Sequence, residues 1–131
     1  LLADPDYVKK IEDGQPCRIR LCMMCNKGCT DSIQNRKFLS CVLNAENGYE
    51  YERTITLADD KKKVVIVGAG PAGLEAARVA AVKGHDVIVY DKDTQVGGQL
   101  NIASVPPRKE EMIVLFIISQ MKSKHWVLIY V

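Results

Sequence analysis

The stretch from Lys63 to Gly98 constrains the fold more than any other part of the chain. It opens with the apolar run Val64-Val65-Ile66-Val67 and turns through Gly68-Ala69-Gly70-Pro71-Ala72-Gly73. An alanine-rich segment, Leu74 to Lys83, stops at Gly84, and a second apolar run, Val87-Ile88-Val89-Tyr90, ends on Asp91. The order is strand, glycine turn, helix, strand, acid, which builds a parallel βαβ unit. In such a unit the first glycine permits the tight turn and the second lets a pyrophosphate approach the backbone. The third lets the helix pack close to the strand. Amides at the helix start then face the phosphates, where the helix dipole favours negative charge. A glycine-rich turn alone is a weak signal, because ordinary βα turns carry one too. Here the flanking elements, and the acid about twenty residues past the turn, make dinucleotide binding the stronger reading. Gly68, Gly70, Pro71, Ala72 and Gly73 are the candidate nucleotide contacts, and Asp91 is the candidate ribose acceptor.

A second constellation precedes it. Four of the five cysteines follow the pattern Cys22-x2-Cys25-x3-Cys29-x11-Cys41. They fit a loop wrapped around a compact centre, with the fourth returning after a short helix, Thr30 to Leu39. Three plus one suits an iron–sulfur cluster held by four thiolates. Zinc competes, since four cysteines also close a tetrahedral structural site, although such sites more often pair two Cys-x2-Cys knuckles. A set of buried free thiols is the third reading. Cys17 lies outside the pattern. Arg18, Arg20, Lys27, Arg36 and Lys37 could offset the charge of a ligated cluster or form a solvated face.

Length and charge set outer bounds. The chain has 131 residues, 47% of them hydrophobic, enough for a core but short for a complete doubly wound sheet once the first sixty residues or so are set aside. A net charge of +2 with mixed signs gives no case for a nucleic-acid partner. The longest apolar run, Met112 to Ile118, falls far short of the roughly twenty residues of a membrane-spanning helix. Leu1-Leu2 is followed at once by Ala3-Asp4-Pro5-Asp6, so no signal peptide is read and a soluble, cytoplasmic protein is expected. Clustered cysteines in that setting suggest metal ligation more than disulfides.

The remaining segments are less informative. Asp6 to Glu12 reads as a short helix started by Pro5 and stopped by Gly14. Asn44-Ala45-Glu46-Asn47-Gly48 is a turn, and Glu50 to Leu57 alternates weakly, as an edge strand does. Val105-Pro106-Pro107 is a rigid break, after which Lys109 to Lys122 is read as a helix and His125 to Val131 as a third strand. His85 and His125 flank strands as turn histidines, Trp126 is read as core, and no hydrolase or glycosidase constellation is present.

Taken together, the motifs resemble one family. They are Leu2-Ala3-Asp4-Pro5, the cysteine pattern, Cys41-Val-Leu-Asn with Gly48, the glycine turn running into Leu74-Glu75-Ala76-Ala77, and Gly97-Gly98-Gln99-Leu100. The chain is similar to the iron–sulfur flavoenzymes that include 2,4-dienoyl-CoA reductase, trimethylamine dehydrogenase and the bile-acid enoate reductases. That resemblance implies an α/β fold: a partial Rossmann-like, parallel-sheet FAD/NAD(P)-binding domain over residues 63–131, preceded by a cysteine-rich iron–sulfur segment over 15–62. Residues 1–14 would be the end of a missing (β/α)8 barrel. It implies Cys22, Cys25, Cys29 and Cys41 as ligands of a 4Fe–4S cluster. Gly98, Gln99 and Leu100 would lie near the flavin. Asp91 stands where the family usually has glutamate, and Ala45 and Tyr49 replace a common proline and arginine. FAD (or plain ADP in an amine-dehydrogenase variant) would bind here. FMN and NAD(P)H would be held by the barrel and a further domain, with a homo-oligomer left open. Family enzymes pass electrons from NAD(P)H through FAD and the cluster to FMN, and no catalytic residue carries over to this chain. The rival reading is a non-enzymatic nucleotide-binding module with a structural zinc site made by the four cysteines.

Overall fold

The computed structural model describes residues 2–110 and 112, and the backbone of 126–130. The chain divides into two compact units, Leu1–Thr54 and Ile55–Val131.

The second unit carries β1 (Lys63–Val67), α4 (Pro71–Val82), β2 (Asp86–Asp91), α5 (Gln99–Ala103) and β3 (Trp126–Tyr130). The three strands are parallel in the order β1-β2-β3, with Val65 opposite Ile88 and Val89 opposite Leu128. A third strand was expected here, and it forms. Leu74, Ala77 and Ala81 recur at helical spacing on α4 and pack with Val87 and Val89 of β2 in a buried cluster. Small residues on that stripe let the helix lie close to the sheet.

The helix starts three residues before the expected Leu74. Gly70 is its N-cap and Pro71 its first residue, where a missing N–H costs nothing. Its end is a Schellman motif: Gly84 N–H donates to Ala81 O and His85 N–H to Ala80 O. His85 Nδ1 in turn accepts from Lys62 N–H at 3.3 Å, the satisfied turn histidine expected of it. The helix read over Lys109 to Lys122, the apolar run Met112 to Ile118 and the side chain of Trp126 lie almost wholly outside the described residues. No helix among the described residues is long and apolar enough to cross a membrane.

The first unit is built mostly of loops around α1 (Tyr7–Glu12), a 3-10 turn (Pro16–Arg18), α2 (Thr30–Gln34) and α3 (Glu50–Arg53). Two expectations are corrected here. The helix read over Thr30 to Leu39 ends at Gln34, because Arg36 takes a left-handed backbone (φ +53°) and closes a second Schellman motif. Its N–H donates to Ile33 O at 3.1 Å, and that of Lys37 to Ser32 O at 2.8 Å. Glu50 to Leu57, read as an edge strand, begins as the helical turn α3 instead. Glu50 and Glu52 at its start and Arg53 at its end complement the helix dipole, and Tyr51 is fully exposed. Arg53 also stacks 4.0 Å over the Tyr49 ring and donates to Ala45 O, fixing that geometry.

The contact between α4 and the glycine turn leaves no room for a side chain. A Cβ on Gly73 would stand 1.8 Å from Gly68 O, a backbone atom that cannot step aside. Gly73→Ala should therefore loosen the β1–α4 corner, with amides of 63–82 exchanging about tenfold faster by mass spectrometry.

Candidate functional site

The site is assembled around one residue of the turn. Ala69 is wholly buried, so both of its peptide groups need partners inside the protein. Its N–H donates to Asp91 Oδ2 at the end of β2, and its carbonyl accepts from Gly97 N–H at 2.8 Å. Gly68, at φ +101°, makes the bend that points Ala69 inward, a conformation glycine reaches without strain. On the far side Gly98 lies so close that a Cβ there would stand 3.2 Å from Gly70 Cα. The Gly97-Gly98 segment thus forms a wall against the glycine turn.

Between turn and wall lies a cleft of about 580 Å³. It is lined by Val67, Gly68, Gly70, Pro71, Ala72, Gly73, Gly98, Gln99, Leu100 and Ala103. Eight of the nine residues named as nucleotide contacts are therefore brought together, Asp91 being the ninth. Val67 and Ala103 were not singled out from the sequence, since an apolar strand end and a short helix carry no ligand signal. The first turn of α4 has no acidic residue, so its free amides and dipole meet the cleft without a competing carboxylate.

Asp91 holds the turn rather than standing free. Its Oδ1 accepts from Asp93 N–H at 2.8 Å and its Oδ2 from Ala69 N–H. The amides of Asp93 and Ala69 stabilise the charged form and hold its carboxyl below the usual carboxylate range. A carboxylate has about four acceptor positions, so a ribose can still share it.

The cysteines all lie in the first unit and all are free thiols. Cys22 and Cys25 are exposed, and Cys29 and Cys41 are half-buried. Met24 and Asn26 take left-handed backbones, winding the loop tightly, and Met24 N–H points at Cys22 Sγ from 3.3 Å. Ser40 N–H donates to Gly28 O at 2.7 Å, which brings the chain before Cys41 against the chain before Cys29. Donor chemistry and chain path therefore fit a four-thiolate centre. The side chains themselves are not gathered: among the described residues no three His, Cys, Asp or Glu groups are placed to hold a metal ion. Of the cations considered as charge partners, Arg20 is engaged with the Leu43 and Ala3 carbonyls and Arg18 with Gln15.

Residues 62–123 match the family described as pyridine nucleotide-disulphide oxidoreductase. The chain is 71% identical over 127 residues to bilirubin reductase of Mediterraneibacter gnavus, covering 95% of this chain and 20% of that protein. It is 44% identical over 115 residues to a metal reductase of Desulforamulus reducens, covering 88% and 17%. Among solved structures, a 2-naphthoyl-CoA reductase superposes with a TM-score of 0.83 at 35% identity, over 97% of this chain and 20% of that one. The chain spans about a fifth of the length of these oxidoreductases. The chain is thus similar, over most of its length, to one segment of larger oxidoreductases, and its glycine-turn unit matches a pyridine-nucleotide family.

Proposed function

We propose that this chain is the electron-transfer segment of an NAD(P)H-dependent flavin and iron–sulfur oxidoreductase. The glycine-turn cleft takes the ADP half of FAD, with the Asp91 carboxylate shared between Ala69 N–H and the ribose. Cys22, Cys25, Cys29 and Cys41 would hold a 4Fe–4S cluster, and residues 1–14 would continue from an FMN barrel. A bound cluster of this kind accepts and donates single electrons, here between FAD and FMN.

The observation that carries this reading is Gly70. Its backbone is ordinary (φ −76°, ψ −178°), and among the described residues a Cβ there would meet no atom within 4 Å beyond its chain neighbours. Packing does not exclude a side chain there, so a ligand that approaches the backbone in the cleft is the reading that gives this glycine a use beyond capping α4. A pyrophosphate close to the backbone is such a ligand. The reductive direction is favoured over amine oxidation because the chain is 71% identical to a bilirubin reductase and 39% to an N,N-dimethylglycine/sarcosine dehydrogenase.

The cluster and zinc readings separate by composition. Anaerobically prepared full-length protein should be brown, with iron and acid-labile sulfide in equal amounts. Cys25→Ala should remove the colour and Cys17→Ala should not. Zinc without sulfide would leave only the structural-site reading.

For the nucleotide, calorimetry should show Gly70→Val abolishing ADP binding while leaving the fold intact. Asp91→Ala should weaken ADP roughly ten- to a hundredfold, the effect of losing a charged hydrogen bond. Unchanged affinity in Asp91→Ala would make that residue a turn fastener and nothing more.

Asp91 also predicts a pH dependence. Its folded pKa lies below its unfolded one, so its stabilising contribution is present above the unfolded value, about 3.9. It is lost as pH falls through the folded value. Urea midpoints of wild type and Asp91→Asn should differ at about pH 6 and converge as pH falls below the folded value. A constant difference would assign the effect to shape rather than charge.

A further inference from the structure

Leu2-Ala3-Asp4-Pro5 carries a buried carboxylate that the nucleotide cleft does not use. We infer that Asp4 and Arg20 are positioning residues for the four-cysteine site, locking the chain two residues before Cys22 to the chain two residues after Cys41. This rests on the reading of those cysteines as ligands of one centre.

Asp4 is a carboxylate only 2% exposed, which is costly unless its oxygens are filled. They are filled by four hydrogen bonds. Lys10 Nζ reaches both oxygens at 2.8 and 2.7 Å, Asp6 N–H donates to Oδ1 at 3.1 Å, and Arg20 N–H donates to Oδ2 at 2.7 Å. The Arg20 guanidinium then crosses to the other arm of the loop, donating to Leu43 O at 2.7 Å and to Ala3 O at 3.5 Å. Asn44 completes the seam by donating to Leu2 O at 2.9 Å. Ile19 and Leu43, beside these bonds, are buried and keep water from the seam.

Cys41 is thus fixed from both sides. The bond between Ser40 and Gly28 ties it toward Cys29, and the Arg20 bridge to Leu43 ties it toward Cys22. Closing four thiolates on one centre requires the chain between Cys29 and Cys41 to return, at a loop-closure cost in entropy. The two ties meet that cost in the backbone before any metal arrives, so only the thiol side chains have to turn inward. A buried ion network seldom adds net stability over an apolar one of equal volume. Orientation is the role that accounts for its charge, as for the outer partners that aim metal ligands elsewhere.

The test uses full-length protein, prepared anaerobically as wild type, Arg20→Met, Arg20→Lys and Lys9→Met. Iron and sulfide content, the rate of iron loss to a ferrous chelator and the electron paramagnetic resonance spectrum of the reduced protein are read. Flavin content and circular dichroism report the fold. Arg20→Met should lose iron about tenfold faster, at the low end of what outer partners of metal ligands contribute. Arg20→Lys keeps the charge but not the fork, so it should fall between and show an altered resonance spectrum at full iron occupancy. Lys9→Met changes an exposed lysine that makes no bond to Asp4, and should stay within roughly twofold of wild type. Wild-type release rates and spectrum in the Arg20 variants would overturn the proposal, even if the unfolding midpoint drops. If Arg20→Met does not fold, Arg20→Lys decides alone. If the wild type carries zinc without sulfide, the relay reading falls, and the same comparison on zinc release still decides whether Arg20 positions the cysteines.

Discussion

The second unit depends on how the peptide of Ala69 is satisfied. A wholly buried residue in a turn has no ladder or helix to complete its hydrogen bonds, so unrelated parts of the chain must supply them. The donor's partner is a carboxylate at the end of β2, and the acceptor's partner is an amide before α5. Strand end, glycine turn and second glycine pair are therefore one device. Remove the acid, and a buried N–H is stranded in the wall of the cleft. The cleft exists because three segments meet at one peptide.

That device explains which parts were legible in the sequence. The run Val64 to Val67, the glycine spacing and the run Val87 to Tyr90 are short-range signals, each set by sterics within a few residues, and β1, α4 and β2 formed where they pointed. Gly98, Gln99 and Leu100 were named through resemblance alone, because no local rule says that a loop after β2 folds back on the turn. Asp91 was legible as an acid at a strand end, but its bond to Ala69 was not. A ribose acceptor and a turn fastener look identical in one dimension, and only the inward bend at Gly68 shows the second role.

The first unit was harder to read for a different reason. Its elements are too short for periodicity to decide them, so single side chains do. Arg36 ends α2 by taking a left-handed backbone that glycine or asparagine more often takes, so no stop signal was visible before Leu39. Weak alternation from Glu50 suggested a strand, while the charges that favour α3 lie at its two ends. Neither choice involves a large burial energy that a hydrophobic pattern could have revealed.

The same poverty of apolar burial bears on the metal. Among the described residues of the first unit, Ala3, Ile19 and Leu43 are the buried apolar side chains, beside buried Asp4, Ser32, Asn44 and Asn47. So small a core supplies little hydrophobic stabilisation, and units of this size usually need a staple. The five thiols are free, so no disulfide serves as one. What the unit has instead is a polar seam around Asp4, directional rather than strong, since each hydrogen bond nets only about 1 kcal/mol against water. A seam of that kind sets geometry and leaves energy to be found elsewhere. Under the proposed reading, ligation of four thiolates would supply that energy, because metal binding to a site absent from the unfolded chain is itself folding free energy. On this account seam and proposed centre would divide the work: Asp4 and Arg20 would specify where the chain returns, and a bound centre would make that return stable.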